Sequence, residues 1–209
     1  MIVYKEGPFS PNLLPIIKAH AIIQKAAESG AGKLDLGPVP RFWIAGGALT
    51  AAVSGERIND FDVFSRFPET LSSFLGTPSF TNGNIANHYI EGLKVQVVLN
   101  HPTDLPDNTI DMFDYTIVMA AYNGDQLIYD ERFFEDIAQK RLVANKFGWP
   151  LSSLERLAKY SKRGYKPCPF GLLELAEAIN RLPADFRNNP NIDSLTFYPD
   201  GTPRFQGVD

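Results

Sequence analysis

Residues 42–65 constrain the fold of this chain more than any other segment, because two apolar segments flank a glycine pair and a short helical stretch. The pair is Gly46-Gly47, and the second apolar segment carries Asp60 and Asp62. Residues i and i+2 of a strand point to the same side, so both carboxylates can face one point. Carboxylate oxygens suit a hard cation such as Mg²⁺ or Mn²⁺, and the N–H groups of a Gly-Gly turn suit a polyphosphate. The segment therefore predicts a strand–turn–helix–strand unit that can hold a metal ion and a polyphosphate.

Each of these residues also has a purely structural interpretation. Asp60 could cap the turn that follows Asn59, and Asp62 could be a solvated strand residue. The pair Gly46-Gly47 could be no more than a tight turn between a strand and a helix. The spacing alone leaves both interpretations open.

Composition excludes several classes of protein. A hydrophobic fraction of 44% predicts a folded globular chain, yet no run of 18 apolar residues exists, so we expect no membrane span. The single cysteine, Cys168, cannot form an internal disulfide, and the chain begins without a signal-peptide pattern; both fit the cytoplasm. A net charge of −4 argues against a broad electrostatic surface for nucleic acid. Only residues 156–166 are basic, as a phosphate or RNA contact or as a solvated helix face.

Periodicity and turn residues predict an α/β (α+β) head over residues 1–146, followed by a small helical segment with a tail over residues 147–209. A helix is expected to end at Gly30, before a loop over residues 30–40. Residues 113–122 are ambiguous between helix and strand, and Asn123-Gly124-Asp125 predicts a hairpin turn. This first helix covers residues 11–29, and further helices are predicted over residues 68–75, 150–161 and 170–182. A terminal hairpin is expected to turn at Pro199-Asp200-Gly201.

Four motifs occur in a fixed order along residues 41–165. Together they resemble the nucleotidyltransferase superfamily of DNA polymerase beta type, and within it the head and neck of tRNA CCA-adding enzymes and bacterial poly(A) polymerases. The chain also resembles short proteins encoded by phages, which implies a phage origin and the host cytoplasm. The motifs are Gly46-Gly47 with Asp60-Phe61-Asp62, Asp114-Tyr115-Thr116-Ile117, residues 127–142, and Pro150-Leu151 with Leu154, Arg156, Lys159 and Tyr160.

The resemblance implies a nucleotidyltransferase-like mixed sheet flanked by helices and an activity that transfers NMP from an NTP to a hydroxyl of RNA, a protein or a small molecule. It assigns Asp60 and Asp62 to catalysis and to Mg²⁺ or Mn²⁺. It assigns the nucleotide to Gly46, Gly47, Thr50, Asp114, Arg156 and Lys159.

Departures from the family pattern favour a second hypothesis. The paired arginines of the second motif are Met112-Phe113 here, and its asparagine is Val118. Where a third carboxylate is usual, the strand offers Gln96, which carries no charge and cannot act as a base, with Glu91 nearby. A catalytically degenerate protein that binds nucleotide, RNA or a protein partner without turnover would tolerate these changes, as would a phage structural or host-interaction protein. The family's tRNA-binding body and tail are missing, so we do not expect CCA addition. The sequence does not predict an oligomeric state.

Further candidate residues have structural alternatives of their own. Asp114 could cap a helix, and Gln96 could be a satisfied polar group in the core. Arg156 and Lys159 could lie on a solvated helix face. We expect structural or surface roles, not metal binding, for His20, His88 and His101.

Overall fold

The computed structural model describes residues 1–34, 37–182, 195–197 and 203–205. Within them, eight strands form one mixed sheet: β1 (Ile2–Glu6), β2 (Phe42–Ala45), β3 (Phe61–Ser65), β4 (Phe80–Thr81), β5 (Ile85–Ile90), β6 (Leu93–Val98), β7 (Ala120–Tyr122) and β8 (Gln126–Asp130). Their order is β1-β8-β7-β2-β3-β6-β5-β4. The pair β3 and β6 is parallel, and the other neighbours are antiparallel. The predicted fold class, a mixed sheet flanked by helices, is confirmed.

The helices of the described residues are α1 (Leu14–Leu34), α2 (Gly47–Ser54), α3 (Pro68–Phe74), α4 (Pro106–Asp111), α5 (Phe133–Ala138), α6 (Pro150–Lys162) and α7 (Pro169–Asn180). Alternate residues of β2 and β3 enter separate cores. Ile44 and Val63 belong to the larger core, shared with α1, α2 and α3. Trp43 and Phe64 belong to a smaller core on the other face, with Ile110 of α4. The apolar pattern therefore positions Asp62, which alternates with Val63, on the face of the smaller core.

The predicted end of the first helix at Gly30 is wrong, because α1 continues to Leu34. A Cβ atom at position 30 would lie 1.8 Å from the carbonyl oxygen of Phe74 in α3. This glycine therefore allows two helices to approach closely, and it does not terminate one.

The ambiguous segment from 113 to 122 contains a short 3₁₀ turn, Thr116–Val118, and then β7. The hairpin predicted at Asn123 is confirmed: β7 and β8 pair antiparallel, and Asn123 Oδ1 accepts hydrogen bonds from the backbone N–H groups of Asp125 and Gln126. The Asn123 side chain thus stabilises the turn that the Asn-Gly dipeptide predicts.

The chain after residue 146 packs against the preceding part. Two short strands, β9 (Arg141–Leu142) and β10 (Lys166–Pro167), pair in parallel across the predicted boundary. The Tyr115 hydroxyl donates to the Ser153 carbonyl oxygen of α6 at 3.0 Å. The division into residues 1–146 and 147–209 stays a prediction. At the C-terminus, β11 (Leu195–Phe197) and β12 (Pro203–Phe205) form the expected antiparallel pair, while its predicted turn lies outside the described residues.

Across the described ranges, the structure contains no helix with both the length and the apolar character needed to cross a membrane.

Candidate functional site

A cleft of about 390 Å³ lies between the smaller-core face of the sheet and helix α6. The strands β3 and β6 contribute one wall, and the turn before α2 closes one end. Residues that are far apart in the sequence meet in this cleft because α6 folds back over the sheet. Its lining includes Gly46, Gly47, Asp62, Asp114, Arg156 and Lys159.

The two aspartates lie next to Gln96. In the parallel pairing of β3 with β6, Asp62 is directly opposite Gln96. With the amides of Gln96 and its neighbour Asn87 assigned together, Gln96 Nε2 donates to Asp62 Oδ1 at 3.3 Å and to Asp60 Oδ2 at 3.2 Å, and its oxygen lies 2.7 Å from the Asn87 amide. Both carboxylates therefore converge on one small group, at the position where the family pattern has a third carboxylate.

Lys94 supplies a positive charge to the same corner. It precedes Gln96 by two residues on β6, so both side chains point to the same face. Its Nζ lies 3.4 Å from Asp60 Oδ2, with the Lys94 side chain 35% exposed and that of Asp60 38% exposed. Asp60 lies immediately before β3 and does not line the cleft, whereas Asp62 on β3 does.

The surroundings of Asp62 disfavour its ionised form. Burial raises the pKa of Asp62 to about 6, and the negative charge of Asp60 adds to this effect. The positive charges of Lys159, Arg156 and Lys94 act in the opposite direction. The corner holds two carboxylates that repel each other, an arrangement that a bound cation would relieve.

Gly46 adopts a backbone conformation that other residues avoid. Its φ is +78° and its ψ is −136°, while its N–H donates to the Ala120 carbonyl oxygen at 3.0 Å. Its own carbonyl oxygen accepts from the Leu49 N–H at 3.0 Å and so starts α2. Gly47 is the first residue of α2, and a Cβ there would lie 3.8 Å from the Tyr160 hydroxyl. The strand-to-helix turn therefore requires glycine at position 46, whereas position 47 has room for a Cβ atom.

An aromatic ring lies against this turn. A Cβ atom on Gly46 would be 3.5 Å from the Phe113 ring, which also packs against Phe64 at 6.0 Å between centroids. Phe113 stands where the family pattern has an arginine. An apolar side chain therefore lies beside the glycine turn of this chain.

Asp114 and Arg156 connect the head to α6. Asp114 is 5% exposed, and its Oδ2 accepts a hydrogen bond from Arg156 Nη1. Two further contacts hold the helix: the bond from Tyr115 to the Ser153 carbonyl and the burial of Tyr160, whose pKa burial raises to about 12. The pair therefore orients the Arg156 side chain along the wall of the cleft.

Four residues of the predicted set do not line the cleft: Asp60 and Gln96 lie beside Asp62, whereas Thr50 and Glu91 lie elsewhere. Thr50 is 2% exposed, and its hydroxyl donates to the Ile117 carbonyl oxygen at 2.5 Å, so its donor is used within the core. Glu91 is exposed in the turn between β5 and β6, five positions before Gln96. Neither residue lines the cleft.

Sequence reasoning missed several lining residues. Trp149 and His101 line the cleft and pack edge to face at 4.7 Å between ring centroids. Burial lowers the pKa of His101, which favours the neutral ring. Sequence reasoning also missed Lys94, which contacts Asp60 but does not line the cleft; its position two residues before Gln96 on a strand was a readable signal. Trp149 had none, because only the packing of the segment before α6 brings it to His101.

The other two histidines lie in the packed interior. His20 is stacked on Phe42 at 4.4 Å, and His88 lies 2.9 Å from the Ser72 hydroxyl. Burial lowers the pKa of both rings. Among the described residues, no three His, Cys, Asp or Glu side chains are grouped so that they could hold a metal ion.

Residues 21–140 match the family model described as Gabija anti-defense 2 family protein. A curated relative, Gabija anti-defense 2 of Bacillus phage SPbetaL7, is 27% identical over 132 residues. That alignment covers 58% of this chain and 33% of the relative, so the chain spans about one third of the relative's length.

Solved structures of CCA-adding enzymes, which belong to the nucleotidyltransferase superfamily, share the fold. The Thermotoga maritima enzyme complexed with tRNA has a TM-score of 0.57 at 12% identity, and a CCA-adding enzyme in complex with CTP has 0.60 at 13%. Each match covers 86% of this chain and 46% of the enzyme. At these identities the likeness shows the fold alone, and the chain spans less than half of either enzyme.

Proposed function

This chain belongs to the Gabija anti-defense 2 family, and we propose that it is a Mg²⁺-dependent nucleotidyltransferase that counters a defence system in the host cytoplasm. It would transfer NMP from an NTP to a hydroxyl of a target molecule. We do not assign the full activity of the longer relative to this chain, because the chain spans only about one third of that protein.

The observation that carries the proposal is the convergence of Asp60 and Asp62 on one point beside a cationic cleft. Both carboxylates lie within 3.3 Å of the Gln96 nitrogen, and Arg156 and Lys159 line the same cleft. A binding module without chemistry has little need for two adjacent carboxylates that repel each other. The arrangement matches what a phosphoryl-type transfer needs: cation ligands on one side and phosphate ligands on the other.

The donor set fits Mg²⁺. This ion prefers oxygen ligands, keeps several waters, and is commonly held by one or two carboxylates together with substrate phosphates. Asp60 and Asp62 would supply the carboxylates, and Gln96 could present its amide oxygen after rotation of its side chain. When bound, the ion supplies neutralisation of charge on the phosphates and lowers the proton affinity of an attacking hydroxyl.

The other residues of the chain would position the substrate. The backbone at Gly46-Gly47 lies at the start of α2, where N–H groups favour an anion. Arg156 and Lys159 would bind phosphate oxygens from α6, and Asp114 holds the Arg156 guanidinium in place. The packed rings of Trp149 and His101 in the lining of the cleft would restrict the access of water to a bound substrate.

The acceptor belongs to one of three classes: RNA, a protein or a small molecule. The net charge of −4 disfavours a broad RNA surface, and the family description points to a defence system as the target. A hydroxyl of a defence protein is therefore the acceptor that we favour.

A second candidate function is binding without turnover. The absence of a third carboxylate opposite Asp62 and the apolar ring of Phe113 against Gly46 favour it. Such a protein would retain the nucleotide or a protein partner in the cleft but would not transfer NMP.

Calorimetry with each of the four NTPs, with and without Mg²⁺, tests the proposed site. We expect Mg²⁺-dependent binding to the wild type and its loss in the double variant Asp60→Asn/Asp62→Asn, which keeps the side-chain shapes. The exposed Asp125→Asn is the matched control, because it removes a carboxylate outside the cleft. Equal binding by the double variant would contradict the site.

Transfer of label from an α-³²P NTP separates an enzyme from a binding protein. The wild type is incubated with purified components of the Gabija system, with total RNA, or with a small-molecule extract. Label on one acceptor, absent with the double variant, supports nucleotidyl transfer. Binding of Mg²⁺–NTP without transfer to any acceptor would favour the second candidate.

A further inference from the structure

The ammonium group of Lys94 forms an ion pair with Asp60, one of the two clustered carboxylates. Lys94 and Gln96 lie on the same face of β6, and both contact Asp60 Oδ2: the ammonium at 3.4 Å and the Gln96 amide at 3.2 Å. Gln96 also donates to Asp62 Oδ1. One oxygen of each carboxylate is therefore already engaged by the protein.

The second oxygen of each carboxylate is available to bind a metal ion. Within the described residues, no other side chain or backbone group donates to Asp60 Oδ1 or Asp62 Oδ2. Two-ion sites hold their ions about 3.5–4 Å apart and need carboxylate oxygens that bridge both ions. Here the ammonium of Lys94 lies 3.4 Å from Asp60 Oδ2, and the neighbouring strand offers a neutral amide opposite Asp62 instead of a third carboxylate.

We propose that Lys94 is a built-in cation that takes the place of a second metal ion at Asp60, so that the site binds one divalent ion between Asp60 and Asp62. This inference rests on the proposed nucleotidyl-transfer site. Lys94 then acts as a positioning residue, which neutralises part of the charge on Asp60 and directs the divalent ion towards Asp62.

Titration with Mn²⁺ followed by electron paramagnetic resonance tests this inference on the full chain without nucleotide. We expect one bound ion in the wild type. Lys94→Gln removes the charge and should either admit a second ion or tighten the first by about fivefold to tenfold, a change of about 1 to 1.4 kcal/mol. Lys94→Arg restores a cation and should return the wild-type number and affinity.

The matched control is Lys5→Gln, which makes the same charge change on the exposed strand β1 at the far side of the sheet. It should leave Mn²⁺ binding unchanged, and thermal unfolding verifies that each variant is folded. Two ions in the wild type, or the same number and affinity in Lys94→Gln, would overturn the inference.

The two proposals fail in different ways. If the Mn²⁺ series behaves as expected but no acceptor receives label, the inference on Lys94 stands and nucleotidyl transfer falls. If label is transferred but Lys94→Gln binds Mn²⁺ as the wild type does, the enzyme stands and the role of Lys94 falls. Absence of Mn²⁺ binding in both the wild type and Lys94→Gln would overturn the inference as well.

Discussion

The carboxylate of Asp62 should destabilise the metal-free protein at neutral pH. Burial, assisted by the charge of Asp60, raises the pKa of Asp62 from 3.8 to about 6. The folded state therefore keeps this proton to a higher pH than the unfolded chain does. As the pH rises from about 4 to about 6, the unfolded chain ionises first, and the free energy of unfolding falls.

The size of the effect follows from the shift. Two pKa units correspond to about 3 kcal/mol, since one unit is worth about 1.36 kcal/mol. The variant Asp62→Asn keeps the shape and an acceptor for Gln96 but removes the charge. We expect its free energy of unfolding to exceed that of the wild type by about 2–3 kcal/mol above pH 7, with the difference vanishing near pH 4.

Urea unfolding in the presence of EDTA, at several pH values between 4 and 8, measures this difference. Asp125→Asn is the matched control, because it removes an exposed carboxylate and should change the stability little at any pH. A gain for Asp62→Asn that does not depend on pH, or a loss of stability at pH 7.5, would refute the reasoning. Confirmation would show that the chain maintains a strained charge pair for a purpose other than folding.

Two further predictions concern the turn and the neck of the cleft. Gly46→Ala should lower the free energy of unfolding by about 1–3 kcal/mol because residue 46 has a positive φ, whereas Gly47→Ala should change it by less than about 1 kcal/mol. Thermal unfolding of the two variants measures the difference. Equal effects would contradict the argument from backbone conformation. Asp114→Ala should weaken the docking of α6 by about 1–2 kcal/mol, since Arg156 loses its buried partner. Amide hydrogen exchange should therefore become faster in α6 but not in α1. Unchanged exchange in α6 would contradict a stabilising role for the ion pair of Asp114 and Arg156.

Local pattern was sufficient for much of the fold. The apolar segments around Gly46-Gly47 became β2 and β3, and the turn at Asn123 joined two antiparallel strands. These features depend on neighbours within a few residues, so the sequence predicts them directly. The end of the first helix was not predictable in this way, because Gly30 serves a contact with Phe74, 44 positions later in the chain.

The candidate site also has features that the sequence predicts and features that only the tertiary structure shows. Sequence alone identified Asp60 and Asp62 as two carboxylates that can face one point, Gln96 as an amide where a carboxylate is usual, and a basic helix that includes Arg156, although Asp60 lies just before β3 and not on it. Only the tertiary structure decided what surrounds them. The parallel register of β3 with β6 sets Gln96 opposite Asp62 and brings Lys94 to Asp60, and the packing of α6 closes the cleft.

The physical reason is the range of the interactions. The alternation of a strand is a property of its own backbone, whereas register and helix docking are set by the burial of apolar side chains across the whole sheet. The sequence by itself therefore determined which groups could carry chemistry. The tertiary structure decided which charges meet.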